Sequence, residues 1–231
     1  MKDYFELDGI FYDLNELLTT RLRASLPHRV LLYLQSFASE DYSFDQSYAL
    51  GLFRSPQPTN LDSHATDQAD LDYKESANIT ATSETEVLQD IEFILSEPRL
   101  HDSIIEGLCD IGLQLRIRAD GTYTTYLSKV RVSLYSRDQS GNDTALLENK
   151  TYTFDTPVSH SADSWDDMVA IKLHENIART VVPDDNRLVL RVEVFGYVSS
   201  ASATNNKVRL YFSRGSAESY ILLPIIEGLS P

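Results

Sequence analysis

The side chains able to do chemistry in this chain are its histidines, its one cysteine and its carboxylates, and their spacing decides what they could do. His28, His64, His101, His160 and His174 are scattered, and no two stand at the H-x-x-x-H separation that puts two imidazoles on one helix face for zinc. His174-Glu175 lacks the second histidine of a zincin. Cys109 is the single cysteine, which excludes an internal disulfide and every cysteine-based zinc motif. It lies in Ile105-Glu-Gly-Leu-Cys-Asp-Ile111, so a small buried thiol is expected there rather than a nucleophile. Gly-x-Ser-x-Gly, the phosphate-binding loop and Gly-x-Gly-x-x-Gly are all absent. Asp67-x-x-Asp70-x-Asp72 and Asp138-x-Ser140-x-Asn142 offer oxygens at alternating positions but lack the glycine and final glutamate of an EF-hand loop. Asp163, Asp166 and Asp167, around Trp165, could serve glycoside hydrolysis only if folding brought two of them together. The expectation is therefore no catalytic residue, no metal, no cofactor and no enzyme.

Charge narrows the partners. The 231 residues carry 20 Lys+Arg against 35 Asp+Glu, a formal charge of −15. Such a surface repels phosphate backbones and anionic lipid, so neither nucleic acid nor membrane is expected as a partner. No apolar run approaches the roughly 20 residues of a spanning helix. The opening Met-Lys-Asp-Tyr-Phe-Glu-Leu-Asp-Gly-Ile-Phe11 has no leader-like apolar stretch.

The elements that must position these residues divide the chain into three stretches. Residues 1–54 are rich in aromatics and should pack on the rest of the fold or on a neighbour. Asp13-Leu-Asn-Glu16 has the form of a capping box, and Leu14, Leu17, Leu18 and Leu22 follow at helical spacing, which predicts a short helix over 14–23, ended before Pro27. Val30–Phe37 and Tyr48–Phe53 read as strands. Residues 55–76 hold two prolines and many small polar or acidic residues, the composition of a loop or linker. Acidic residues crowd the stretch 62–97, which is expected to be a solvated face.

From Ala77 onward short strands alternate with turns. Ala77, Ile79 and Ala81 alternate with polar residues, and further strands are expected at 145–154, 168–174, 187–198, 207–213 and 219–226. Together these predict an all-β fold over 77–231: an antiparallel β-sandwich, jelly-roll-like, with one short N-terminal helix and a long acidic loop.

Asp120-Gly121 between two alternating runs predicts a hairpin in which Arg118 faces Tyr123, Leu115 faces Tyr126 and Ile111 faces Val130. That register puts Leu113, Leu115, Ile117, Tyr126, Val130, Val132 and Leu134 on one side and Arg116, Arg118, Tyr123, Lys129 and Arg131 on the other. The last pair of strands repeats the pattern, with Arg191, Arg209 and Tyr211 on the polar parity. The expected result is a basic stripe able to meet an acidic partner.

Gly121-Thr-Tyr-Thr-Thr-Tyr126, Lys129-Val-Arg-Val-Ser-Leu-Tyr135, Asn149-Lys-Thr-Tyr-Thr-Phe154 and Arg191-Val-Glu-Val-Phe-Gly-Tyr197 resemble, in style, the β-sandwich structural proteins of tailed bacterial or archaeal viruses. The resemblance covers about residues 77–226. It implies a virion protein, a capsid decoration, cement, turret or head-to-tail joining subunit, assembled in the host cytoplasm and bound to identical subunits and a major capsid protein or other virion protein. Interface residues expected on this reading are Tyr4, Phe5, Phe11, Tyr12, Leu14, Leu17 and Leu18, with Arg116, Arg118, Lys129 and Arg131. The alternative is a carbohydrate-binding or adhesion module, which would present coplanar exposed rings such as Tyr123, Trp165 and Tyr211.

Overall fold

The computed structural model describes residues 4–7, 10–13, 28–36, 50–53, 73–95, 103–212 and 219–227, and the fold there is all-β, with no helix among the described residues. The strands in chain order are β1 (Tyr4–Leu7), β2 (Ile10–Asp13), β3 (His28–Ser36), β4 (Leu50–Phe53), β5 (Tyr73–Glu75), β6 (Thr85–Leu95), β7 (Ser103–Arg118), β8 (Thr125–Arg137), β9 (Asp143–His160), β10 (Val169–Val182), β11 (Arg187–Val198), β12 (Lys207–Tyr211) and β13 (Tyr220–Glu227). β1 and β2 pair with each other. The rest form one hydrogen-bonded path, β5-β12-β7-β13-β3-β4-β6-β11-β8-β9, with β10 on the other side of β7. Every pairing is antiparallel except the short β4–β6 contact at Gly51 and Leu52.

The path folds into two layers, consistent with a β-sandwich. One is built around β7, with β10 along one edge and β12 and β13 sharing the other. The other is β6-β11-β8-β9. Leu113, Leu115 and Ile117 of β7 and Val130, Val132, Leu134, Leu188, Leu190 and Val192 of the second layer enter one buried cluster. Phe93 of β6 meets Phe212, just past β12, edge to face at 5.5 Å. Burial of such side chains contributes about 1.5–3 kcal/mol each.

The predicted hairpin does not form. β7 pairs with β10, β12 and β13, while β8 pairs with β9 and β11, so 119–124 carries the chain between layers. The turn itself is present: Gly121 has φ +80°, and the Asp120 carboxylate accepts from the backbone N–H of Thr122 and Tyr123. It also accepts from Thr204 N–H of the neighbouring loop, which ties the turn into a corner. Alternation fixes which face of each strand is buried, not whether two strands lie side by side or face to face across a core. Hence Leu115 and Val130 are both buried as expected, but on opposing layers.

Three smaller expectations are corrected. Tyr126 faces outward, because a register shift between Leu127 and Lys129 reverses the parity of β8; it stacks on Tyr197 at 4.6 Å. The stretch 77–82 is no strand, although Ile79 is buried and its N–H donates to Asn206 O. Tyr73–Glu75, placed in the loop by composition, pairs with β12. The helix expected over 14–23 and most of 55–76 lie outside the described residues.

Candidate functional site

The outer face of the β7 layer gathers the chemistry the sequence scattered. Asp110 stands between buried Cys109 and Ile111, so alternation turns its carboxylate outward. The paired position on β10 is His174, whose Nδ1 donates to Asp110 Oδ1 at 2.6 Å. From β3, Arg29 reaches across β13 and donates to Asp110 Oδ2; the same guanidinium lies 3.5 Å from Leu108 O. The His174 hydrogen bond, followed by that of Arg29, overcomes burial and holds the Asp110 carboxyl below its ordinary range. Tyr220 of β13 roofs Gly112, its ring occupying the place a Cβ there would take.

An ionised carboxylate can only accept, so Nδ1 of His174 carries the proton and a neutral ring presents a bare Nε2. With 60% of its side chain exposed, His174 is an oriented imidazole able to take or give a proton at the surface. Cys109 is no nucleophile for it: its side chain is buried, and burial, then Asp110, push its thiol up to about 12.

His160 makes a different arrangement. Its Nε2 lies 2.9 Å from Ser164 O and 3.3 Å from Ser164 Oγ. A ring nitrogen donating to a carbonyl has no lone pair left to accept the serine proton, so the pair clamps a turn. The turn carries Asp166, whose Oδ1 accepts from Ile117 N–H at 2.8 Å and whose carbonyl accepts from Arg116 Nε at 2.7 Å. Asp163 pairs with Arg118 at 3.1 Å. Asp163 and Asp166 thus hold the 161–168 segment on β7, and Asp167 is exposed. Burial raises the Asp166 carboxyl above its ordinary range, against the Ile117 hydrogen bond.

Trp165 and Tyr211 do come together on this face. Arg209 lies between the Tyr73 and Trp165 rings, 3.8 and 3.9 Å from their centroids, and donates to Glu75. Tyr73 and Tyr211 are tilted by 48°, and Tyr123 packs partly buried against the core. Tyr123, Trp165 and Tyr211 are each partly buried, so none of the three is an open ring face.

The basic stripe is also divided. Arg116 and Arg118 lie on the outer face of the β7 layer, Lys129 and Arg131 on that of the β8 layer. Each meets a group of its own chain: Arg116 the Asp166 carbonyl, Arg118 Asp163, Lys129 Glu84, Arg131 Glu193. Glu92 likewise receives both Arg137 and Arg191. Phe5 pairs with Tyr12, and Tyr4 with Asp13, in the β1–β2 ladder; Leu14, Leu17 and Leu18 lie outside the described residues. Among the described residues no three metal-ligating side chains converge, and the Asp138 carboxylate accepts from Ser140 N–H, Asn142 N–H and the Asn142 amide.

The sequence reading missed Arg29, Asp110 and His174. One local signal existed: Asp110 is an acid in an apolar alternating run, and such a residue must face out and find partners.

No family model matches the chain, and no curated protein matches it. Among solved structures it is similar to a CocE/NonD family hydrolase from Staphylococcus aureus, at 12% identity and a TM-score of 0.50 over 87% of this chain and 37% of that one. An α-amino acid ester hydrolase aligns at 14% identity and a TM-score of 0.50, over 85% of this chain and 36% of that one. Infectious bursal disease virus aligns at 12% identity over 84% of this chain and 37% of that one, with a TM-score of 0.20, too low to carry an argument. The first two share the fold, and the chain spans little more than a third of their length. The expectation of no enzyme does not stand: these two structures that share the fold are hydrolases, so the missing motifs do not place the chain outside such an architecture.

Proposed function

We propose that this chain is a contact module, a jelly-roll-like sandwich that works by docking on other protein surfaces in a larger assembly. The observation that carries this reading is the treatment of charge. On a chain of −15, most of the described cations on both outer faces are paired in cis, which leaves strand edges, rather than a free basic patch, as the surfaces offered to a partner. The setting favoured by the Tyr- and Thr-rich strands is a virion shell, as a decoration or turret subunit against identical subunits and a capsid protein. Light scattering across a range of protein concentrations tests it. A closed oligomer, or a mass that rises with concentration, is expected; a strict monomer throughout counts against it.

A second reading has its own support in the two hydrolase folds and the His174–Asp110–Arg29 group. Here the sandwich sits beside catalytic machinery and lends an oriented imidazole. Hydrolysis of p-nitrophenyl acetate by the full chain, lost by at least tenfold in His174→Ala, is the result this reading expects. Equal rates in the two proteins remove it.

A further inference from the structure

Charge around His174 singles out one neighbour. Most described cations meet a carboxylate of their own chain, but among the described residues Lys74 and Lys172 have no ion pair and no side-chain hydrogen bond. Lys74 lies on the short strand β5, whereas Lys172 lies on β10, two residues before His174. Buried Ile171 and Leu173 flank Lys172, so alternation turns it out on the same face as the imidazole, with the two Cα atoms about 6.5 Å apart along the strand.

The rung partner of Lys172 on β7 is Gly112, which has no side chain and is covered by the partly exposed ring of Tyr220. One patch therefore offers an ammonium for an anion, a ring for an aromatic body and the bare Nε2 of His174 for a proton. Arg29 is committed to Asp110 and to Leu108 O, so the unpaired charge of the patch is that of Lys172. We propose, on the hydrolytic reading of this group, that Lys172 is an anion subsite and that the esters cleaved at His174 carry a carboxylate about one benzene ring away from the reacting carbonyl. In the step itself, His174 Nε2 takes a proton from water as the water oxygen bonds to the carbonyl carbon. The tetrahedral adduct then breaks its bond to the leaving oxygen, which departs as the phenolate and leaves the carboxylic acid; the imidazolium returns its proton to solvent.

Two esters with the same chromophore test the subsite: p-nitrophenyl acetate, and its analogue bearing a carboxylate on the ring carbon meta to the ester oxygen, where it cannot reach its own ester carbonyl. Each kcat/KM of the full chain is divided by the uncatalysed rate of that ester in the same buffer, and the readout is the ratio of the two. The expected ratio is about threefold to fivefold in favour of the carboxylated ester, the size of one exposed ion pair. It should fall to about one in Lys172→Gln and return in Lys172→Arg, with circular dichroism establishing that each variant is folded. A ratio near one in wild type, or one that survives in Lys172→Gln, overturns the subsite; the hydrolytic reading then stands as long as hydrolysis is lost in His174→Ala. Rates for both esters that are unchanged in His174→Ala overturn both.

Discussion

Phe93→Ala is expected to lower stability by about 3–5 kcal/mol, the range for deleting a buried phenylalanine without collapse of the site. The ring is fully buried between the layers and meets Phe212 edge to face. Truncation removes a tie between β6 and the strand end after β12, elements far apart in sequence. Chemical denaturation measures the loss, and Leu108→Ser, at an exposed position on β7, should change stability by under about 0.5 kcal/mol. Similar losses for both variants would mean that the core does not lie between these layers.

Glu92→Gln is the second large effect. This carboxylate accepts from Arg137 and from Arg191, which joins β6, β8 and β11 on the outer face of the second layer. The glutamine keeps the shape but leaves two partly buried guanidiniums short of one charge, and a loss of about 2 kcal/mol is expected. Glu106→Gln is the contrast. Glu106 and Arg179 have side chains 47% and 60% exposed, and such a pair contributes under about 1 kcal/mol.

Acid supplies an independent check. Burial tends to raise the Glu92 carboxyl, yet the hydrogen bonds from Arg137 and Arg191 outweigh it and bring it below its ordinary value of 4.5. A carboxyl more acidic in the folded chain leaves the unfolded chain binding more protons over that window, so stability falls as pH drops below about 4.5. Glu75, Glu84 and Glu193 are lowered as well, so the whole sandwich should be acid-labile. The difference between wild type and Glu92→Gln, read from melts between pH 7 and pH 3, should shrink as the pH falls; a difference constant with pH would remove the clamp from the explanation.

Individual strands were legible because alternation is a property of each strand alone. β11, β12 and β13 fall within two residues of expectation, β10 starts where expected but runs on to Val182, and the burial of Val192, Val194, Val208 and Leu210 follows their parity. Two things were not legible. An Asp-Gly turn serves a hairpin and an inter-layer corner equally well, and the choice follows from the distant strands that β7 and β8 pair with, with Thr204, 84 residues from Asp120, tying the corner. The divided stripe follows from that one choice. The group of Arg29, Asp110 and His174 is assembled by the β3–β13–β7–β10 order, and no spacing in the chain encodes it.

The central claim is that the chain associates through its strand edges, while most of its described cations are paired within the subunit. Native mass by light scattering, repeated from low to high salt, tests it most directly. Copies of charge −15 repel, and salt screens that repulsion without weakening contacts between uncharged groups. The expected result is a mass that rises, or an oligomer that tightens, as salt is added. An oligomer that dissociates with salt would show that charge pairs between subunits hold the assembly, and would contradict the claim.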